Sequence, residues 1–299
     1  MPLEDRCVEH ACPAKVNLTL CILGKRGDGF HDLHSVVAQT SFGDRLRLEW
    51  RHDVKPGQDA VVAEEGTLPG KDNTVALALR FFREAAGFDE GAFTARLWKR
   101  IPSGAGLGGG SSDGASTLKA LRDLFGDQAY GVDWAALAAR IGSDCSLFLE
   151  NGPVIMSGRG ELVEPLPAEL AARLSRLPVV LFKPWFPIPT GEAYRRLALA
   201  GLYSDEGMPD RLVGEWRAGE QAVPSPCNDF QRLLGEWMPS LAVVLDRLRT
   251  LHGLDARLSG SGSACFVFPP EGGSVISIIR DELVNAWGRD FWLETTSLN

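Results

Sequence analysis

No stretch of the 299 residues approaches the ~18 consecutive apolar residues that a membrane-spanning helix needs, so a helical membrane protein is excluded. The opening residues, Met1 to His10, lack an apolar signal-peptide core, and no secretory leader is expected. The six cysteines (Cys7, Cys12, Cys21, Cys145, Cys227, Cys265) are scattered and form no C-x-x-C pair, so neither a zinc site nor a disulfide framework is expected. There is no internal repeat and no low-complexity tract. A positive charge excess is missing too: the formal net charge of -8 disfavours broad binding to nucleic acid or anionic membrane. What remains is ordinary for a globular chain, 44% hydrophobic and 23% charged. It reads as a reduced, cytoplasmic, enzyme-sized protein of one or two domains.

Ala14 to Leu23 is rich in apolar and β-favouring residues and predicts a strand, with a turn at Gly24-Lys-Arg-Gly-Asp-Gly29. Val36 to Thr40 and Arg45 to Trp50 predict two further strands, with Gly43-Asp44 as the turn between them. Helices are expected over Thr74 to Ala86, capped by Asp72 or Asn73, and over Trp134 to Ile141, capped by Asp133 and stopped at Gly142. Phe93 to Ile101 alternates apolar and polar residues, as in a half-buried strand of an antiparallel or mixed sheet. Gly152 to Pro165 predicts a hairpin turning near Ser157-Gly-Arg-Gly160. The character changes around Pro165 to Pro178. Beyond it come a strand over Val179 to Lys183, a helix, a helix over Leu241 to Leu251, a short hairpin around Ser259-Gly-Ser-Gly262, a helix from Ser274 to Trp287 and a strand near Phe291. The elements mix without a doubly wound rhythm, which predicts an α+β fold with two subdomains, 1–167 and 168–299. Trp98, Trp134 and Trp237 read as packing residues.

The richest signal is Pro102-Ser-Gly-Ala-Gly-Leu-Gly-Gly-Gly-Ser-Ser-Asp113, set between that alternating strand and a helix with Ala115, Leu118, Leu121 and Phe125 on one face. Glycine permits positive φ and leaves no side chain between the amides and a ligand. Successive N–H groups and the helix N-terminus then suit phosphate oxygens. Ser111 and Ser112 add hydroxyls for phosphate or Mg2+. Three readings stand beside one another. The first is a structural glycine turn. The second is a dinucleotide fingerprint, since Gly104-x-Gly106-x-x-Gly109 fits G-x-G-x-x-G and Asp127 lies near the position of a ribose-binding acid. The alternating strand with Lys99-Arg100 speaks against that one. The third is a triphosphate loop of a kind other than G-x-x-x-x-G-K-[ST], which the chain does not contain.

Pro-x-x-x-Gly-Leu-Gly-Gly-Gly-Ser-Ser resembles the ATP loop of the kinase superfamily named for galactokinase, homoserine kinase, mevalonate kinase and phosphomevalonate kinase (the GHMP kinases). Pro13-Ala-Lys-Val-Asn-Leu18 with Gly27-Asp-Gly-Phe-His31, and Leu258-Ser-Gly-Ser-Gly-Ser-Ala264 with Asn228-Asp229, resemble one family within it, the 4-diphosphocytidyl-2-C-methylerythritol kinases. The resemblance runs from about Ala11 to Phe268. It implies a two-lobed fold, with an N-terminal lobe like ribosomal protein S5 and a ferredoxin-like C-terminal lobe. It also implies ATP-dependent phosphorylation of the 2-hydroxyl of a cytidyl diphosphate polyol in non-mevalonate isoprenoid-precursor synthesis. ATP and Mg2+ follow as co-substrate and cofactor, and no metal ligand set is recognisable. The expected partners are those small molecules, with no nucleic acid and no membrane, in a monomer or homodimer.

Residue by residue, the resemblance assigns ATP binding to Pro102, Gly104, Gly106, Leu107, Gly108, Gly109, Gly110, Ser111 and Ser112. Lys15 and Asp144 map onto the catalytic pair, with Asn17 binding substrate. On residue type alone, Lys15 is equally a snorkelling surface lysine and Asp144 a turn cap. The chain also departs from the family here, reading Gly142-Ser-Asp-Cys-Ser146 where Gly-Ala-Asp-Val-Pro is usual, so a rigid φ after the aspartate is missing. Phe30, His31 and Tyr194 map onto a cytosine clamp in which aromatic faces stack and the histidine bonds the base edge, with Thr190 lining the pocket. Phe30 stands where tyrosine is usual, keeping the π-face without the hydroxyl. Read alone, Phe30 and Tyr194 fit core positions, and His31-x-x-His34 lacks a third metal ligand. Gly260, Ser261 and Gly262 are either a tight turn only or a second phosphate or substrate loop.

Overall fold

The computed structural model describes residues 5–66, 68, 73–126, 131–270 and 275–299. Asp72, Asp127 and Ser274, named above as a cap, a ribose acid and a helix start, lie outside the described residues. In chain order the elements are β1 (Arg6–Asn17), β2 (Thr19–Lys25), β3 (His31–Arg51), β4 (Ala60–Glu65), α1 (Thr74–Ala86), β5 (Ala92–Trp98), α2 (Gly109–Phe125) and α3 (Trp134–Ile141). A 3-10 helix over Ser143–Leu149 follows, then β6 (Val154–Ser157), β7 (Leu162–Pro165), α4 (Ala168–Leu174), β8 (Pro178–Pro184), α5 (Thr190–Ala200) and α6 (Met208–Ala218). The chain continues with β9 (Cys227–Asn228), α7 (Leu234–Trp237), α8 (Pro239–His252), β10 (Arg257–Leu258), β11 (Cys265–Val267), α9 (Val275–Trp287) and β12 (Phe291–Ser297). Among the described residues no helix is long and apolar enough to cross a membrane.

The chain divides into two compact units that are interleaved in sequence. The first comprises the described residues up to Ala14 with Gly43–Pro102 and Gly108–Asn151; the second comprises Lys15–Phe42, Ser103–Leu107 and Gly152–Asn299. A single cut between residues 167 and 168 falls inside the second.

In the first unit β5 lies between the far half of β3, antiparallel from Arg45↔Trp98 to Arg51↔Ala92, and β4, parallel from Ala60↔Thr94. That is the mixed sheet the alternation predicts, with Phe93, Ala95 and Leu97 buried. Asn73 caps α1 by accepting from the Ala76 amide, and Asp133 caps α3 by accepting from the Ala136 amide. Behind the sheet, Phe82 stacks on Phe125 at 5.7 Å and on Trp134 at 5.8 Å, while Trp50 meets Phe125 edge-on at 5.5 Å. Each such ring contributes roughly 1.5–3 kcal/mol by burial, and Trp134 is a packing residue as expected.

Two strand expectations are corrected. Ala14 to Leu23 is not one strand: the chain bends at Leu18, whose amide donates to the Val36 carbonyl at 2.8 Å. Nor is there a turn at Gly43-Asp44, since β3 runs unbroken through both residues. Glycine is needed at 43 for close approach, because a Cβ there would lie 2.2 Å from the Cys12 carbonyl oxygen.

In the second unit β2 pairs antiparallel with the near half of β3 (Cys21↔His34) and parallel with β9 (Thr19↔Cys227), while β3 pairs with β6 (Ser35↔Met156). The β6–β7 hairpin is as expected. A separate four-stranded antiparallel sheet has the order β10-β11-β8-β12. Its β8 is buried from Val179 to Pro184, which explains the continuous apolar run in the sequence.

Candidate active site

Lys15 and Asn17 close β1. Alternation puts both on one face, and both are buried. The Lys15 ammonium donates to Asn17 Oδ1 at 2.6 Å, and Asn17 Nδ2 donates to Ser35 Oγ at 2.8 Å. The snorkelling alternative does not hold: Lys15 is 4% exposed, and its ammonium is turned inward onto the Asn17 amide.

The near half of the glycine loop is sewn onto that strand. The Lys15 amide donates to the Leu107 carbonyl at 2.9 Å, and the Ala264 amide to the Ala105 carbonyl at 2.9 Å. Ser259 Oγ donates to the Gly106 carbonyl at 3.1 Å. Gly106 has φ +78, and Gly260 lies so close that a Cβ there would be 3.4 Å from Lys15 Nζ, Asn17 Oδ1 and the Gly106 carbonyl oxygen alike. Asn228 Nδ2 holds this second turn through the Leu258 and Gly260 carbonyls at 2.9 and 3.0 Å, and Ser261 shares a 2.9 Å hydroxyl contact with Thr190. Lys15, Asn17, Thr190, Gly104 to Leu107 and Gly260 to Gly262 thus form one constellation within the second unit. The second glycine turn is more than a chain reversal, because it braces the first.

The far half of the loop belongs to the first unit. Gly108, at φ +73, is the N-cap of α2 and offers no side-chain cap; the first turn carries no acidic residue. The amides at this end are therefore left for an anion. Thr74 Oγ1, at the start of α1, donates to the Gly110 carbonyl at 2.5 Å. Ser111 bonds the Cys145 thiol, whose pKa burial pushes up to about 12. Ser112 Oγ is buried with no hydrogen-bond partner among the described residues. Such an orphaned hydroxyl fits a phosphate oxygen or a Mg2+ ligand. Among the described residues no group of three or more His, Cys, Asp or Glu side chains forms a metal cluster.

Asp144 is half-buried on the 3-10 helix that follows α3. Around it the Cys145 amide donates to the Gly142 carbonyl at 3.0 Å, and the buried Cys145 thiol lies against Ser111.

In the second unit His31 opens β3 and stacks on Tyr194 of α5, with centroids 4.8 Å apart and an interplanar angle of 27°. Phe230 meets the Tyr194 ring edge-on at 4.8 Å. Burial, with help from Lys25, lowers the His31 pKa, so the imidazole is neutral at neutral pH. Its Nε2 is buried without a partner among the described residues, which suits the edge of a polar ring. Phe30 is 51% exposed, with the Arg159 guanidinium 4.7 Å above its ring. The structure brings His31 and Tyr194 together and leaves Phe30 on Arg159 instead.

One group in the first unit was not read from the sequence. Lys99 donates to Asp44 Oδ2 and, at 2.5 Å, to Asp113 Oδ2. Burial works against the Lys99 charge, but the two carboxylates outweigh it and raise its pKa. Burial, together with Asp44, pushes Asp113 up to about 7 against the pull of Lys99. Gly43-Asp44 looked like a turn, and Lys99-Arg100 looked like the polar end of a strand. No short-range signal joins them.

Family models describe residues 73–153 as a GHMP kinase N-terminal domain and residues 213–285 as a GHMP kinase C-terminal domain. The 4-diphosphocytidyl-2-C-methyl-D-erythritol kinase of Symbiobacterium thermophilum is 35% identical over 291 residues, covering 94% of this chain and 98% of that protein. A crystal structure of 4-(cytidine 5'-diphospho)-2C-methyl-D-erythritol kinase superposes with a TM-score of 0.74 at 34% identity, covering 97% of this chain and 99% of that one. Mevalonate kinase of Methanococcus jannaschii, at 14% identity and a TM-score of 0.68 with full coverage of both chains, shares the fold. The chain belongs to the 4-diphosphocytidyl-2-C-methyl-D-erythritol kinase family of the GHMP kinases.

Proposed function

We propose that this chain transfers the γ-phosphoryl group of ATP to the 2-hydroxyl of 4-diphosphocytidyl-2-C-methyl-D-erythritol, a step of non-mevalonate isoprenoid-precursor synthesis. The observation that carries the reading is the buried Lys15–Asn17 pair, joined at once to the glycine loop and to the second glycine turn. Phosphoryl transfer needs positioned donors and charge neutralisation more than covalent help. The loop amides from Gly104 to Gly110, the Pro102 bend, Leu107, and the hydroxyls of Ser111 and Ser112 hold the triphosphate. Ser112 Oγ, buried without a partner among the described residues, would be the protein hydroxyl that holds Mg2+, and the ion would supply charge neutralisation on the phosphate oxygens. Asp144 takes the proton of the substrate hydroxyl as that oxygen bonds to the γ-phosphorus and ADP leaves. Lys15 offsets charge on the transferred group, and Asn17 fixes it and binds substrate. Gly260, Ser261 and Gly262 close over the phosphates, and Thr190 lines the polyol pocket.

His31 and Tyr194, the two clamp residues that lie together, select the cytosine. A base slotted against these faces gains about 1–3 kcal/mol per stack, and the orphaned His31 Nε2 reads its edge. Mevalonate and homoserine have no base to stack.

ADP release from Mg-ATP, measured with the cytidyl polyol beside mevalonate and homoserine, tests the reading. Release with the cytidyl substrate alone is expected. Asp144→Asn should lower kcat by about 100-fold or more while ATP binding stays within a few-fold. Equal turnover in that variant would remove Asp144 from the chemistry, and release with another alcohol would return the clamp residues to packing.

A further inference from the structure

Lys99, Asp44 and Asp113 come from three different elements of the first unit: the exit of β5, the middle of β3 and the second turn of α2. Their side chains are 9%, 0% and 5% exposed. Asp44 does more than hold Lys99. Its Oδ1 accepts the main-chain N–H groups of Arg100 and, at 2.8 Å, Ile101, the residues that lead into the glycine loop. Asp113 sits on the far side of the same loop, directly after Ser112. A single ammonium therefore ties the residue that fixes the loop's entrance to the helix that begins where the loop ends.

A loop this rich in glycine has little conformational preference of its own. Affinity for phosphate then depends on how far the amides are already arranged before the ligand arrives. A buried ion cluster is a poor way to gain stability, since an apolar replacement of the same volume is often as good. Its use here is better explained by geometry: it sets the separation and angle of the two loop ends.

We propose that Lys99, held between Asp44 and Asp113, is a positioning residue that preorganises the glycine loop for the triphosphate. It acts through the loop backbone, by way of Asp44 and the Arg100 and Ile101 amides. The inference rests on the reading of that loop as the ATP site.

The test compares wild type, Lys99→Arg, Lys99→Met and the charge-free triple variant Asp44→Asn/Lys99→Met/Asp113→Asn. The triple variant is included because Lys99→Met alone strands two buried carboxylates and risks unfolding. Thermal melts identify the folded variants, and titration calorimetry with Mg-ATP reads the loop without reference to the second substrate. In folded variants lacking the cation, the Kd and KM for ATP should rise by about tenfold or more. The KM for the cytidyl polyol should stay within about twofold, and Lys99→Arg should recover most of the ATP affinity. A folded triple variant with wild-type ATP affinity would overturn the proposal and leave the cluster structural. If wild type itself bound no ATP, the reading of the loop would fail first, and the inference with it.

Discussion

A methyl group at position 106 would have nowhere to go. Gly106 has φ +78, and a Cβ would lie 2.3 Å from the Ser259 carbonyl oxygen. Gly104 is also left-handed, at φ +62, yet its Cβ would meet only Pro187 Cβ at 3.6 Å. Left-handed backbone costs a non-glycine residue about 1–2 kcal/mol, and at 106 the backbone clash adds to it. Gly106→Ala should therefore lower Tm by about 4 °C or more, and Gly104→Ala by clearly less. Thermal unfolding of the two variants checks the order. The G-x-G spacing made both glycines legible as phosphate-loop residues. The difference between them was not legible, because the Ser259 carbonyl that crowds Gly106 comes from a turn remote in sequence. The same holds for His31 and Tyr194. Each reads alone as an ordinary core or surface residue, and only the resemblance paired them before their rings were seen stacked.

Local elements were legible where their end signals are short-range. Asn73 with Ala76 and Asp133 with Ala136 are N-caps that the sequence displays openly, and α1 and α3 begin where those caps predict. β3 was not legible as one strand, because glycine and aspartate together normally mark a turn. Here Gly43 makes room for the Cys12 carbonyl, and Asp44 is a buried acceptor. Between α8 and α9 lies an ion cluster with a definite acid signature. Arg247 and His252 of α8 hold the Glu282 carboxyl of α9 at about 2, down from the usual 4.5. Because the folded value is depressed, this stabilisation is complete above pH 4.5 and fades as pH falls toward 2. Glu282→Gln should therefore lower Tm at pH 7. The gap to wild type should shrink below pH 4.5 and vanish near pH 2. Melts across that range decide it, and a gap independent of pH would assign the effect to packing instead.

The chain passes between its two units five times, at residues 14/15, 42/43, 102/103, 107/108 and 151/152. Fragments 1–167 and 168–299 do not match these units. The second fragment keeps the whole β10-β11-β8-β12 sheet. The first keeps β2 without its parallel partner β9. Neither fragment alone should release ADP; refolding the two together should restore release, and activity in either one separately would contradict the interleaving. The order of synthesis adds a consequence. The first unit is fully translated once Asn151 has emerged, whereas Lys15–Phe42 belongs to a unit completed only by the last residues. At 5–20 residues per second, that apolar stretch waits on the order of ten seconds for its partners. Much of its surface, from Val16 through Ala38, is meant for a core. During that interval the nascent chain carries a finished half together with a β2–β3 ribbon whose outer partners β6 and β9 have yet to be made, a client suited to a chaperone at the ribosome exit.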